Sequence, residues 1–178
     1  MIMTDKREIR RRVRADIAKL SAEEKSGLSA NICRSLLHSQ AVIDGSVVAL
    51  FISLADEPQT DALIAELSKR KRVVVPRIEG DEMNFYDISE GVKIGAFGIM
   101  EPTSTTPVKP SEIEVMVVPG VVFTLDGARC GRGKGFYDKY LSHSDFRAYT
   151  IGVCYPCQIV DNLPTEEHDK VLDCVISI

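Results

Sequence analysis

The chain has no tryptophan, and aromatic residues make up only 6 % of its 178 positions. It has no aromatic-rich basic sheet motif, which counts against an RNA-binding module. No stretch approaches the roughly 20 apolar residues that a membrane-spanning helix needs. The first residues are charged and lack the apolar core of an export signal. Five cysteines, Cys33, Cys130, Cys154, Cys157 and Cys174, form an odd set without disulfide-framework spacing, which fits a reducing, cytoplasmic setting. Cys154-Tyr-Pro-Cys157 comes late in the chain, whereas a thioredoxin-like pair follows an early strand. No second pair exists to complete a tetrahedral zinc site, so the motif reads as structural. Lys and Arg total 22 against 26 Asp and Glu, and the net charge of −4 argues against general nucleic-acid binding.

What is present is an ordinary globular composition, 44 % hydrophobic and 27 % charged. The length suits one domain, residues 1–178, large enough to bury a core. Nothing in it demands more than a monomer. Asp5, with Glu8 placed for a capping box, predicts a first helix, and Ser21-Ala-Glu-Glu24 predicts a second running to about Ser39. Ser46–Ser53 reads as a buried strand, Thr60–Arg70 as a helix and Arg72–Pro76 as another strand. Met83–Ile88 alternates, as an edge or antiparallel strand does. Val92–Glu114 reads mostly as loop, because Pro102, Pro107 and Pro110 discourage regular structure. Strands are expected at Val115–Phe123, Tyr149–Cys154 and Leu172–Ile178, with a short helix at Phe136–His143. This alternation implies an α/β fold: three layers, with a mostly parallel sheet and helices on both faces. Ligands in such sheets bind at the carboxyl ends of strands.

The densest chemistry follows the run Val115–Phe123. Gly127-Ala-Arg129-Cys-Gly131-Arg132-Gly133-Lys134-Gly135-Phe136-Tyr137-Asp138 packs four glycines and three cations ahead of two aromatics and a carboxylate. Glycine lets a backbone approach a ligand closely. A loop leading into a helix presents N–H groups and a positive helix end. With Arg129, Arg132 and Lys134 present, the expected occupant is an anion, most plausibly a polyphosphate. Asp138 is the kind of hard oxygen ligand that holds Mg²⁺ beside phosphates. The loop is not a Walker A motif, since Ala128 stands where the first glycine belongs and Gly135 replaces the hydroxyl residue. Nor does the strict alternation of Gly131, Gly133 and Gly135 match the dinucleotide fingerprint.

The basic run of the first helix is less uniform than it looks. Ile9, Val13, Ile17 and Leu20 make one apolar stripe; Lys6 falls inside it and Arg10 at its edge, while Arg7, Arg11 and Arg14 face away. A cation on a buried stripe needs an anionic partner. Lys6 and Arg10, neighbours at i and i+4, could clamp phosphates from across the crevice. Glu57, after the first strand, is either an exposed loop acid or an acceptor for a planar donor edge such as a pterin's. Phe136 and Tyr137 either anchor their helix or stack on a flat ring.

Several segments in order are similar to the 5-formyltetrahydrofolate cyclo-ligase family: Arg129-x-Gly-x-Gly-x-Gly-aromatic-Tyr137-Asp138, with Val118-Pro-Gly-x-x-Phe123 upstream; Phe51-Ile52-Ser53 and Glu57-Pro-Gln-Thr60; Gly98-Ile-Met-Glu101-Pro102; Gln158; and Leu163-Pro164 through His168-Asp169 to Leu172-Asp173. The resemblance spans about Lys6 to the C-terminus. One departure is Phe136, where the family often has Tyr. The resemblance implies an α/β architecture and the ATP- and Mg²⁺-dependent closure of 5-formyltetrahydrofolate to 5,10-methenyltetrahydrofolate. It implies that ATP is held by Lys6, Arg10, Arg129, Gly131, Arg132, Gly133, Lys134, Gly135, Phe136 and Tyr137. It further implies folate contacts from Ile52, Glu57, Arg132 and Phe136, catalytic roles for Lys134, Arg129 and Tyr137, and a Mg²⁺ site at Asp138 and Asp169. Two other readings stay open from the residues alone: an ATP-using kinase or ligase with a different small substrate, and an RNA-binding basic helix.

Overall fold

The structure, a computed structural model, describes residues 5–95, 98 and 100–178. Helix α1 (Lys6–Lys19) starts where Asp5 accepts a hydrogen bond from the Arg7 N–H at 2.9 Å. The expected reciprocal box with Glu8 is not among the described hydrogen bonds; Glu8 lies 3.8 Å from Arg11 instead. Helix α2 (Ala22–His38) does have its box: Ser21 Oγ accepts from Glu24 N at 3.1 Å, and Ser21 N donates to the Glu24 carboxylate at 2.7 Å. Then follow α3 (Gln40–Asp44), β1 (Val47–Ala49), α4 (Asp61–Leu67), β2 (Arg72–Glu79) and β3 (Glu82–Asp87). A small hairpin, β4 (Val92–Ile94) and β5 (Met100–Pro102), precedes β6 (Val115–Val118). A second hairpin, β7 (Val122–Phe123) and β8 (Arg129–Cys130), leads to α5 (Phe136–Leu141), β9 (Tyr149–Cys154) and β10 (Cys174–Ser177).

Six strands form one sheet in the order β10-β9-β6-β1-β2-β3, parallel except for the β2–β3 edge pair. The strand alternation divides the core between the two faces. Val48, Val73, Val75, Val115, Val117, Ile151 and Val153 pack beneath α2, α3 and α4 with Ile32, Leu36, Val42 and Leu63. Ala49, Val74, Met116, Val118 and Cys154 point to the opposite face, toward Phe85, Tyr140 and α5. Ile9, Val13 and Ile17 of α1 are at most 2 % exposed and join Val121, Val122 and Tyr155. The layered α/β architecture is as expected.

Three local expectations need correction. Val115–Phe123 is two strands, because Pro119-Gly120 interrupts the ladder. Within Val92–Glu114 the described residues hold β4 and β5 as well as loop; the prolines sit at the hairpin's end and beyond it. The resemblance segment around Gly98 belongs here, and its Ile99 lies outside the described residues. Finally, β1 is shorter than Ser46–Ser53. After Leu50 N donates to Val74 O at 2.9 Å, the chain leaves the sheet to build a loop over its edge.

Candidate active site

The strand order reverses direction between β1 and β6. The chain proceeds outward from β1 to β2 and β3, then returns to β6 and proceeds through β9 to β10. The loops leaving the carboxyl ends of β1 and β6 therefore diverge and leave a crevice, the usual ligand position in an open α/β sheet. A cleft of about 610 Å³ lies there. Every candidate residue from the sequence lines it: Lys6, Arg10, Ile52, Glu57, Arg129, Gly131, Arg132, Gly133, Lys134, Gly135, Phe136, Tyr137, Asp138 and Asp169.

The β6 side carries the cations. Hairpin β7–β8, with Val122 opposite Cys130, delivers the chain to Gly131 at the cleft. Gly133 (φ 99°) and Gly135 (φ 71°) adopt left-handed backbone that other residues resist. The loop ends at α5, which has six residues and Gly135 as its N-cap. Arg129 is buried, its side chain 2 % exposed; Nη1 donates to Pro119 O at 3.2 Å and Nη2 to Asp138 at 3.0 Å, while Nε has no hydrogen-bond partner among the described residues. Arg10 reaches across from α1 and donates from Nε to Gly131 O at 2.7 Å. Lys6 pairs with Asp169, and with Glu166 at 3.1 Å. Burial alone would lower the Lys6 pKa, but these two carboxylates outweigh it and hold it above its ordinary value. Burial likewise opposes ionisation of Asp169, and the Lys6 hydrogen bond reverses that, holding its carboxyl below the usual range. Lys134 is exposed and has no protein partner among the described residues.

The β1 side positions a carboxylate. Thr60 Oγ1 donates to Phe51 O at 2.6 Å, Gln59 N to Ser29 Oγ at 2.9 Å, and the Tyr155 hydroxyl to Glu57 O at 2.9 Å. Glu57 is therefore not the exposed loop acid of the bland alternative: it is 6 % exposed. One carboxylate oxygen accepts from Leu54 N at 2.9 Å. The other accepts from Arg132 Nη2 at 2.9 Å and Nε at 3.3 Å. Arg132 also pairs with Asp56, whose carboxyl it holds below the usual range against the opposing pull of burial. Glycine-loop and β1-loop thus meet through Arg132.

Phe51, Ile52, Ile78, Met83, Met100 and Phe136 supply the apolar lining. Tyr137 sits edge-on to Phe85, with ring centroids 6.5 Å apart, and 5.6 Å from the Arg129 guanidinium carbon. Burial, reinforced by Glu57, pushes its phenol pKa up, so the hydroxyl remains a donor at neutral pH. Sequence reasoning missed Tyr155, and had Gln158 only as a match to the family without its supporting role. Tyr155 and Gln158 are both fully buried; Gln158 Nε2 donates to Gly120 O at 2.9 Å and to Val121 O at 3.1 Å, fixing the turn after β6. Burial of these polar groups in a tight turn carries no periodic signature. The Cys154 and Cys157 thiols are free, and burial pushes Cys154 up to about 12, the opposite of a reactive thiolate.

Asp138 and Asp169 are hard oxygen donors in the same cleft. Asp138 already accepts from Arg129 and from Lys170 N at 3.2 Å; Asp169 pairs with Lys6. Among the described residues no three His, Cys, Asp or Glu side chains converge on one point. This donor set fits a Mg²⁺ ion that takes one or two carboxylates and completes its shell with phosphate and water. It does not resemble an all-protein cage.

A doubly wound sheet whose switch-point cleft joins a glycine–cation loop to a buried carboxylate defines an α/β protein suited to an anionic ligand beside a flat one. A profile of the 5-formyltetrahydrofolate cyclo-ligase family matches residues 2–177. The Escherichia coli K12 5-formyltetrahydrofolate cyclo-ligase is 31 % identical over 95 % of this chain and 96 % of that protein. The Mus musculus enzyme of the same name is 27 % identical over 96 % and 92 %. The solution structure of Aquifex aeolicus 5,10-methenyltetrahydrofolate synthetase superimposes with a TM-score of 0.86 at 32 % identity, covering 96 % of this chain and 88 % of that one. The chain belongs to the 5-formyltetrahydrofolate cyclo-ligase family, and is a ligase of folate chemistry. No described helix is long and apolar enough to cross a membrane.

Proposed function

We propose that this protein closes 5-formyltetrahydrofolate to 5,10-methenyltetrahydrofolate at the expense of ATP, with release of ADP and phosphate. The observation that carries this reading is the meeting of two walls in one cleft, one lined by Lys6, Arg10, Arg132 and Lys134, the other apolar and bearing Glu57. The chemistry needs both. A formamide oxygen is a poor leaving group until it receives the γ-phosphoryl group. N10 of the folate then bonds to the formyl carbon and gives up its proton, and the carbon–oxygen bond breaks as phosphate leaves. The original formyl oxygen departs with that phosphate.

Phosphoryl transfer asks the protein mainly for positioning and charge neutralisation. Lys134, without a partner among the described residues and between two left-handed glycines, is free to meet the transferring phosphoryl group. Arg10 and Lys6 approach from α1, and Arg129 acts from beneath, its position fixed by Pro119 O and Asp138. Gly131, Gly133 and Gly135 line the same cleft, where their N–H groups would meet phosphate. Asp138 and Asp169 would hold Mg²⁺, which when bound neutralises phosphate charge and orients it. Glu57 would accept from a pterin's amino and ring N–H groups, with Arg132 shifting toward the phosphates, and Ile52 and Phe136 would flank the ring. Tyr137, held protonated, can donate to the formyl oxygen or to phosphate. No nucleophilic Ser or Cys is required.

The test is an absorbance assay with (6S)-5-formyltetrahydrofolate, ATP and Mg²⁺, following the near-ultraviolet band of the methenyl product. The band is expected only with all three present. A flat trace from folded protein that binds ATP would leave an ATP-using enzyme with another substrate.

A further inference from the structure

The antiparallel corner of the sheet holds a polar network that the reaction above does not use. Arg77 on β2 lines the cleft. Its Nη1 donates to the carbonyls of Pro102 at 3.2 Å and Ser104 at 2.9 Å. Its Nε and Nη2 donate to one oxygen of Glu79 at 3.2 and 2.9 Å. The other Glu79 oxygen accepts from the Tyr86 hydroxyl at 2.6 Å and from Asn84 Nδ2 at 3.1 Å. The guanidinium lies 3.8 Å from the centre of the Tyr86 ring, close enough for a cation–π contact.

An arginine has five N–H donors. Here two carbonyls and a carboxylate already occupy all three nitrogens, so Arg77 is poorly placed to serve as one more phosphate ligand. What it holds is the chain just after β5. Hairpin β4–β5 joins no strand of the six-stranded sheet, and an isolated two-stranded hairpin is marginal in water. Its place over the cleft therefore depends on ties such as these. The same hairpin brings Met100 and Glu101 to the cleft wall. Met100 is 36 % exposed and Ile78, beside Arg77, is 53 % exposed. Exposed apolar side chains gathered in a cleft mark a ligand surface.

We propose that Arg77 is a positioning residue for the folate-binding wall. By fastening the Pro102 and Ser104 carbonyls to β2, it holds Met100 beside Ile78 and Met83, so that the three present one apolar face to the flat part of the substrate. This rests on the folate reading of the cleft. It assigns specificity on this wall to a network distinct from the glycine loop.

The test compares wild type, Arg77→Met and Arg77→Lys by steady-state kinetics, with trypsin cleavage after the exposed Lys93 of β4 mapped by mass spectrometry in the absence of ligand. Loss of hydrogen bonds to a charged group predicts that Arg77→Met raises KM for 5-formyltetrahydrofolate about tenfold. Both kcat and KM for ATP should stay within about twofold. Arg77→Lys, which keeps a cation for the carbonyls but not the fork, should fall between, and cleavage after Lys93 should quicken in the order wild type, Lys, Met. An unchanged folate KM, or a parallel rise in the ATP KM, would overturn the proposal. So would unchanged cleavage, which judges the fastening even if wild type makes no methenyl product and the folate reading itself fails.

Discussion

The two walls of the cleft are built on opposite principles. On the β6 side most charges are already compensated: Arg129 by Asp138, Lys6 by Asp169 and Glu166, and Arg132 by Asp56 and Glu57, while Arg10 holds a carbonyl. Lys134 alone among these cations has no protein partner in the described structure. On the β2–β3 side the wall is apolar, partly exposed and held from behind by Arg77. A polyanion entering the first wall exchanges one set of ionic partners for another, so the site need not carry bare cations when empty. A flat ring entering the second gains by removing Ile78 and Met100 from water. On the proposed reading, affinity on one wall would be a matter of exchange and on the other of burial, and the two should fail separately when mutated.

The largest effect should come from Asp138→Asn, which breaks a pair whose arginine is 2 % exposed. Removing one partner of a buried pair costs about 3–5 kcal/mol, so the urea midpoint should fall markedly, along with Mg²⁺-dependent activity. Next is Lys134→Ala. Loss of an electrostatic stabiliser aimed at developing charge lowers turnover by about 10²–10³-fold. Because Lys134 has no hydrogen-bond or ionic partner among the described residues, the midpoint should stay within about 0.5 kcal/mol of wild type; full activity would remove Lys134 from the phosphate wall. Glu57→Gln keeps the shape and loses the charge. Charged hydrogen bonds contribute about 1.5–3 kcal/mol, so folate KM should rise by about one to two decades, with ATP KM nearly unchanged.

The smallest effect concerns acid stability. The hydrogen bond from Tyr86, with help from Asn84 and Arg77, lowers the Glu79 carboxyl from 4.5 to about 2. A depressed folded pKa means stability that is present above 4.5 and lost as pH falls toward 2. Glu79→Gln should therefore flatten thermal stability against pH within that window and leave it unchanged in slope near neutrality. An identical acid limb in the variant would show that the network contributes nothing there.

The chemistry of the first wall was legible because it is contiguous: cations, glycines and Asp138 fall within ten residues of one loop. The stripe Ile9, Val13, Ile17 also placed Lys6 and Arg10 on the cleft side of α1. The second wall was largely illegible. Ile78, Met83 and Met100 look like core residues in sequence, and the clustered prolines hid β4–β5. The partners of the known candidates were hidden by distance along the chain. Glu57 is covered by Arg132, 75 positions away, and Lys6 meets Asp169 across 163. Pro119-Gly120, embedded in an apolar run, reads as strand until the fold shows that Gln158 has claimed the carbonyls of Gly120 and Val121.

The most direct measurement is isothermal titration of wild type, Lys134→Ala and Glu57→Gln with a non-hydrolysable Mg·ATP analogue and, separately, with 5-formyltetrahydrofolate. Two walls with separate tasks predict a crossed pattern: Lys134→Ala weakens nucleotide and spares folate, and Glu57→Gln weakens folate and spares nucleotide. Equal loss of both ligands in both folded variants would contradict the division of the cleft.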